Sequence, residues 1–261
     1  MTTGGTTLLH ISDVHFGAQD EHAVETIHAA AGDMRADALV ISGDLTQRGA
    51  HSEFGEAAAW LDRFSIPVLV VPGNHDTPLL NMSARIASPF RRFRRYTNDY
   101  PNDCQTGDVY LRGINTARGW QARRNWAEGV VNLDDLDQAC EDARRAEGPV
   151  HILVCHHPLR PPATAPIPVS TIRGGRALER LAGSPFDLLL CGHVHVPFSS
   201  IHEDNGGKLV QVGAGTLSSR LRDHPPSFNR IDITKDAVTV EQHDILATGT
   251  VSAPLANLSL S

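Results

Sequence analysis

Five short apolar runs, at residues 7–12, 38–42, 67–71, 150–155 and 187–191, constrain what this chain can fold into more than any other feature. Each is five or six residues long and rich in Val, Ile and Leu, too short for a helix and apolar at successive positions. Such runs read as strands buried on both faces. Helix-like segments at 21–35, 53–64, 134–146 and 175–181 separate most of them. Strand alternating with helix predicts an α/β fold.

The residues after each run are as regular as the runs. The first is followed by Asp13 and His15, the second by Asp44 and Arg48, the third by Asn74, His75 and Asp76. The fourth leads into His156 and His157, and the fifth into His193 and His195. In open α/β sheets ligands sit beyond the carboxyl ends of the strands, so the five termini are expected to converge on one site. Taken alone, "PGNHD" reads as a turn, because Pro, Gly, Asn and Asp favour turns, but a turn has no use for His75.

Carboxylate, imidazole and amide donors without thiolate suit Mn, Fe, Zn or Co. Eight polar residues are too many for one ion, and two ions about 3.5 to 4 Å apart need a carboxylate that binds both. Asp44 is the candidate bridge. The four cysteines form no Cys-x-x-Cys pair; Cys155 and Cys191 lie in apolar runs, where core packing accounts for them. His10 and His151 fall inside strands and read as structural.

At 261 residues, with no shift in composition that marks a linker, a single domain over 1–261 is expected. A net charge of -7 argues against a nucleic-acid partner, so an anionic substrate must be captured locally. The first residues lack the basic start and apolar stretch of a secretory signal, and no apolar run approaches the length of a membrane span. A cytoplasmic location is therefore expected. A homo-oligomer and a peripheral membrane contact are both compatible with the sequence.

Two segments break the alternation. Residues 78–129 read as an insertion near the active site, and 158–175 as a proline-rich loop. The insertion carries "SPFRRFRRY", with Arg91, Arg92, Arg94 and Arg95 among Phe90, Phe93 and Tyr96. A basic helix against an anionic substrate or membrane is one reading; a solvated basic face on an apolar stripe is the simpler one. Toward the C-terminus, "KLVQVGAG" and "FNRIDITKDAVTVEQHDI" alternate as strands of a second sheet would, while 247–261 shows no pattern.

In order, Asp-x-His, Gly-Asp, Gly-Asn-His-Asp, His-His-Pro and Gly-His-x-His resemble the calcineurin-like metallophosphoesterase family, and within it the bacterial class III cyclic-nucleotide phosphodiesterases. The resemblance implies a four-layer α/β/β/α sandwich with two mixed β-sheets and two divalent or trivalent metal ions. It implies that Asp13, His15, Asp44 and His195 hold one ion, and Asp44, Asn74, His156 and His193 the other. His75 matches a histidine that faces substrate and stabilises or protonates the leaving-group oxygen, which leaves Asp76 to fix the turn or orient His75. Arg48 matches an arginine that contacts phosphate in some relatives, and His157 lines the pocket or supports a ligand. The implied reaction is phosphodiester hydrolysis of a small or nucleotide-like substrate by a metal-activated hydroxide. Pyrophosphate cleavage of a nucleotide-linked sugar lipid, as in UDP-diacylglucosamine hydrolases, is the alternative, followed by a scaffold without catalysis.

Overall fold

The computed structural model describes residues 5–121, 127–163, 165, 169–204 and 206–260. The first half runs β1 (Thr6–Ile11), α1 (Glu21–Asp33), β2 (Ala38–Ile41), α2 (His51–Leu61), β3 (Val68–Val70), α3 (Met82–Ala87), α4 (Arg91–Thr97), β4 (Asp103–Thr106) and β5 (Val109–Gly113). It continues with β6 (Gly129–Val130), α5 (Leu133–Arg145), β7 (Val150–Val154), β8 (Thr171–Ile172), α6 (Gly174–Leu181) and β9 (Leu188–Cys191). The chain ends in β10 (Phe198–Asp204), β11 (Gly207–Gly213), β12 (Ser227–Ile233), β13 (Ala237–Leu246) and β14 (Gly249–Ser259).

Successive side chains of a strand point to opposite faces, and here both faces are covered. In β1 and β2, Leu8, Ala38 and Val40 face a central core, while Leu9, Ile11, Leu39 and Ile41 pack beneath α1 and α2. In β7 and β9, Ile152, Val154, Leu188 and Leu190 meet the same central core from the other side. Leu153, Leu189 and Cys191 face α5 and α6. The result is a four-layer α/β/β/α sandwich of two six-stranded mixed sheets, ordered β14-β13-β12-β1-β2-β3 and β10-β11-β9-β7-β5-β4. A short parallel pair, β6 and β8, stands apart. Among the described residues no helix is long and apolar enough to cross a membrane.

The five ligand-bearing strands are thus shared between sheets, β1, β2 and β3 in one and β7 and β9 in the other. Sheet membership departs from the sequence reading near the C-terminus. Of those segments, β11 joins the second sheet, parallel to β9, whereas β12 pairs antiparallel with β1 and β13 antiparallel with β12, extending the first sheet. The patternless tail is β14, an exposed edge strand on β13 with a register shift at Val240/Glu241.

The segment 78–129 does more than line a site. It supplies α3 and α4, and also β4 and β5, the latter parallel to β7 with Val109 and Leu111 in the central core. Residues 122–126 of it, and 164 and 166–168 of the proline-rich loop, lie outside the described residues. In α4, Phe93 is buried and Tyr96 stacks on Phe54 of α2 with ring centroids 5.6 Å apart, while Arg91, Arg94 and Arg95 stay exposed. That is a solvated basic face on an apolar stripe. All four cysteines are free, with Cys140, Cys155 and Cys191 buried.

Candidate metal centre

Five residues of the centre adopt the left-handed backbone conformation that favours glycine: Asp13, His15, Asp44, His193 and His195, with φ between 53° and 72°. Asp and His tolerate it at a cost of about 1 kcal/mol or more each, so the surrounding structure must impose it. The imposing contacts are main-chain bonds between the strand-end loops. Asp13 N donates to Gly43 O, His15 N to Asp44 O, and Gly192 N to His156 O.

The motif glycines make room for ligands. A β-carbon on Gly73 would sit 2.1 Å from Asp44 Oδ1, one on Gly43 2.5 Å from His156 Nδ1, and one on Gly192 2.6 Å from Asp13 Oδ2. Asp76 fixes the turn, as the sequence suggests. Its buried carboxylate accepts from Gly73 N at 2.9 Å, Thr46 N at 2.9 Å, Thr46 Oγ1 at 2.9 Å and Leu45 N at 3.3 Å, joining the loops after β2 and β3. Burial, and then the charge of Asp44, push its carboxyl up to about 7.

Three histidines share one arrangement. His15, His156 and His195 each direct Nδ1 at a main-chain carbonyl, of Thr46 (3.4 Å), Ser42 (2.8 Å) and Arg220 (2.8 Å). A carbonyl only accepts, so Nδ1 carries a proton and Nε2 is the inward-facing nitrogen, whose lone pair a cation would take in exchange for a proton. His15 Nε2 and His195 Nε2 lie 3.3 Å apart, with Asp13 Oδ1 at 3.6 Å and 3.1 Å from them. His156 Nε2 lies 3.2 Å from Asn74 Oδ1 and 3.4 Å from Asp44 Oδ2, which is also 3.8 Å from His15 Nε2.

Each carboxylate spends one oxygen on a main-chain N–H, Asp13 Oδ2 on His193 N at 2.9 Å and Asp44 Oδ1 on His75 N at 2.8 Å. The other oxygen faces the centre, and Asp13 Oδ1 is buried without a hydrogen-bond partner of good geometry. Converging lone pairs around an orphaned buried carboxylate oxygen fit a cation. Burial pushes Asp13 and Asp44 up, but His195 and His15 beside the first, and His156 and His75 beside the second, hold both well below the carboxylate range. Burial opposes charge on His156 too, yet Asp44 raises it to about 9, and Asp13 raises His195 in the same way. Positive charge is what this centre attracts.

The structure therefore gathers all seven candidate ligands. Asp13, His15 and His195 form one group, Asp13, Asp44 and His156 another, and His193 joins His156. His157, grouped with His156 and His193, and His75, grouped with His15 and Asp44, also have other partners for their nitrogens. His157 places Nδ1 2.9 Å from Thr116 Oγ1 and Nε2 3.0 Å from Ala127 O. His75 directs Nδ1 at Gln47 O at 2.8 Å and Nε2 at Arg220 Nη1 at 3.0 Å. Burial lowers both imidazoles, and it brings His193 down to about 3.

Arg48 is exposed and lines, with Gln47, Asn74, His75 and Arg85, a cavity of about 190 Å³ beside the centre. A larger cavity of about 500 Å³ near Ile86 and Trp120 contains none of the candidate ligands, whereas the smaller one is bordered by Asn74 and His75. Two residues escaped sequence reasoning. Glu53 is 8% exposed and accepts from Arg48 N at 2.8 Å and Ala50 N at 3.1 Å, closing the loop that carries Gln47. Arg220 follows β11; because β11 is parallel to β9, the rule about strand ends applies to it as well.

Two packed mixed sheets, with aspartates, histidines and an asparagine at their strand ends, define the metallo-dependent phosphatase fold. The same fold appears in a dimetal phosphatase from Danio rerio, with a TM-score of 0.67 at 13% identity over 98% of both chains. A purple acid phosphatase from yellow lupin gives 0.69 at 13% identity, over 97% of this chain and 54% of that one. Residues 6–197 match the calcineurin-like phosphoesterase family, and the chain belongs to it. Among its relatives, the glycerophosphodiester phosphodiesterase GpdQ of Enterobacter lignolyticus is 28% identical over 207 residues, 72% of this chain and 70% of that protein. A probable cyclic nucleotide phosphodiesterase of Synechococcus sp. is 25% identical over 206 residues, 74% of each.

Proposed function

We propose that this protein is a two-metal phosphodiesterase acting on a small diester, with cyclic nucleotides among the candidate substrates. The observation that carries the reading is Asp44, whose Oδ2 faces His15 on one side and His156 on the other while Oδ1 is held by His75 N. A carboxylate so placed is the bridge that a two-ion centre needs. Asp13, His15 and His195 complete one site, and Asn74, His156 and His193 the other. The ions are drawn from Mn, Fe, Zn and Co, the metals these donors suit. Once bound, they supply Lewis-acid polarisation of the phosphoryl oxygens and acidify water.

The protein's own residues do the rest. Gln47 O fixes the His75 ring through Nδ1, and Nε2, the atom that accepts from Arg220 Nη1 before substrate arrives, faces the departing alkoxide. It stabilises the alkoxide's charge once Arg220 has turned to the substrate and Nε2 has taken up a proton. Arg48 borders the same cavity and attracts the anionic substrate. His157 supports the wall, held between Thr116 and Ala127.

A second reading, cleavage of a lipid-linked nucleotide pyrophosphate, draws support from exposed apolar side chains around α3. Leu80 is 91% exposed and Ile86 58%. An acyl chain would cover such a patch.

The test is hydrolysis of bis-p-nitrophenyl phosphate against p-nitrophenyl phosphate by Mn-loaded protein, with a chelated control. A diester preference abolished by chelation is expected, and activity on neither would sink the diesterase reading. Asp44→Asn is expected to lower metal content itself. His75→Ala is expected to keep both ions yet lose about 100-fold or more in kcat. Full activity of His75→Ala on a poor leaving group would remove the leaving-group role.

A further inference from the structure

Arg220 touches the centre twice, and the five strand-end motifs do not include it. Its main-chain carbonyl accepts from His195 Nδ1 at 2.8 Å, and its guanidinium donates through Nη1 to His75 Nε2 at 3.0 Å. The backbone there is fixed. Arg220 N donates to Ser218 Oγ at 3.2 Å, Ser218 Oγ lies 2.7 Å from Thr216 Oγ1, and that hydroxyl donates to Asp13 O at 2.7 Å.

A guanidinium carries five N–H donors in a planar fork. Here one is engaged by His75, and no carboxylate of the described residues lies within ion-pair distance of it. Arg220 is half-buried and in contact with His195 and His75, two histidines of the candidate centre. A cation with spare donors, in contact with a histidine that lines the small cavity, matches an anionic phosphoryl group, whose two oxygens can take two parallel N–H bonds.

We propose that Arg220 is a substrate-binding residue that captures the non-bridging oxygens of the phosphoryl group, the contact with His75 holding its guanidinium in place beforehand. The proposal rests on the phosphoesterase reading of the site. It also places His75 between two cationic walls, Arg220 on one side and the cavity of Arg48 and Arg85 on the other. The substrate class is then a phosphodiester whose charge resides on the scissile phosphate and is read by the protein as well as by bound ions.

The experiment is titration of inorganic phosphate into Mn-loaded wild-type protein, Arg220→Lys and Arg220→Met, followed by calorimetry, with bound metal measured in each sample. Arg220→Met is expected to weaken phosphate binding about tenfold or more at unchanged metal content. Arg220→Lys is expected to fall between the two, because it keeps the charge and loses the fork. KM for bis-p-nitrophenyl phosphate should rise in step with the phosphate dissociation constant, more than kcat falls. Phosphate affinity within about twofold of wild type in Arg220→Met would overturn the proposal. So would metal loss in both variants, which would make Arg220 a prop for His195, and so would wild-type protein that binds no phosphate. Wild-type protein that binds phosphate through Arg220 but cleaves no diester would instead overturn the reaction proposed above and leave the role of the arginine standing.

Discussion

At Gly73 the centre has no space for even one methyl group. A β-carbon there would lie 2.1 Å from Asp44 Oδ1 and 2.5 Å from Asp44 N, and neither atom can retreat, because Oδ1 is bound to His75 N and the loop to Asp76. Gly73→Ala must therefore push the candidate bridge out of position while leaving the strands untouched. The expected outcome is a native circular dichroism spectrum with Mn content reduced to half or less, and activity down by about tenfold or more, since small misplacements are costly in a catalytic site. Metal content equal to wild type would show that Asp44 is not the bridge. The same reasoning explains what was legible in the sequence at this scale. Asp13, Asp44, Asn74 and the histidines stood out because they follow apolar runs, and the glycines beside them are the space those side chains occupy. Arg220 did not stand out, because an arginine in a polar loop looks like any surface arginine until the pairing of β11 with β9 is known.

Between elements, the joint of α2 and α4 carries the apolar half of the basic segment. Phe54 is fully buried, stacked on Tyr96 and edge-on to Phe93 with centroids 6.4 Å apart. Arg92 Nη1 donates to Gly49 O at 2.6 Å, so α4 also grips the loop that carries Arg48. Phe54→Ala removes the surface on which α4 rests and should cost about 3 to 5 kcal/mol. Urea unfolding checks the cost, and a loss below about 1 kcal/mol would mean that α4 is held by other contacts. The strands whose runs are continuously apolar were legible because burial on two faces leaves no alternation to misread. Placement of β12 and β13 was not legible. Alternation tells which face of a strand is buried, whereas the partner of β12 is fixed by a pairing across more than two hundred residues, Leu8 with Ile231, and β13 then follows β12. The strand β5 was hidden in a polar segment because it needs only Val109 and Leu111 to face the central core.

Across the whole molecule, a buried polar bridge joins the two sheets. His10 of β1 places Nε2 2.9 Å from Ser42 Oγ, while its Nδ1 lies 3.2 Å from Asn229 Nδ2, a donor, so the imidazole is neutral with its proton on Nε2. Asn229 of β12 reaches across to Gly213 O of β11, in the opposite sheet, at 3.1 Å. His10 is fully buried, and burial lowers it to about 3, a shift that the charge of Asp13 only partly offsets. Protonation of an unfolded histidine begins near pH 6.5. Between that pH and about 3 the unfolded chain holds a proton on residue 10 that the folded protein does not. The contribution of His10 is thus fully present above pH 6.5 and is lost as pH falls toward 3, with a slope of about 1.4 kcal/mol per pH unit for one proton. His157 and His193, lowered in the same direction, add to the wild-type slope, so a comparison with His10→Gln isolates the one proton. The glutamine amide can still donate to Ser42, and the variant should be less stable than wild type at pH 8 by about 1 to 2 kcal/mol. In chelator, urea midpoints measured from pH 8 to 4 should then converge as pH falls, because only the wild type takes up the extra proton on unfolding. Parallel profiles would mean that His10 is charged in the folded protein, and that the bridge between the sheets is an ionic contact instead of a neutral one.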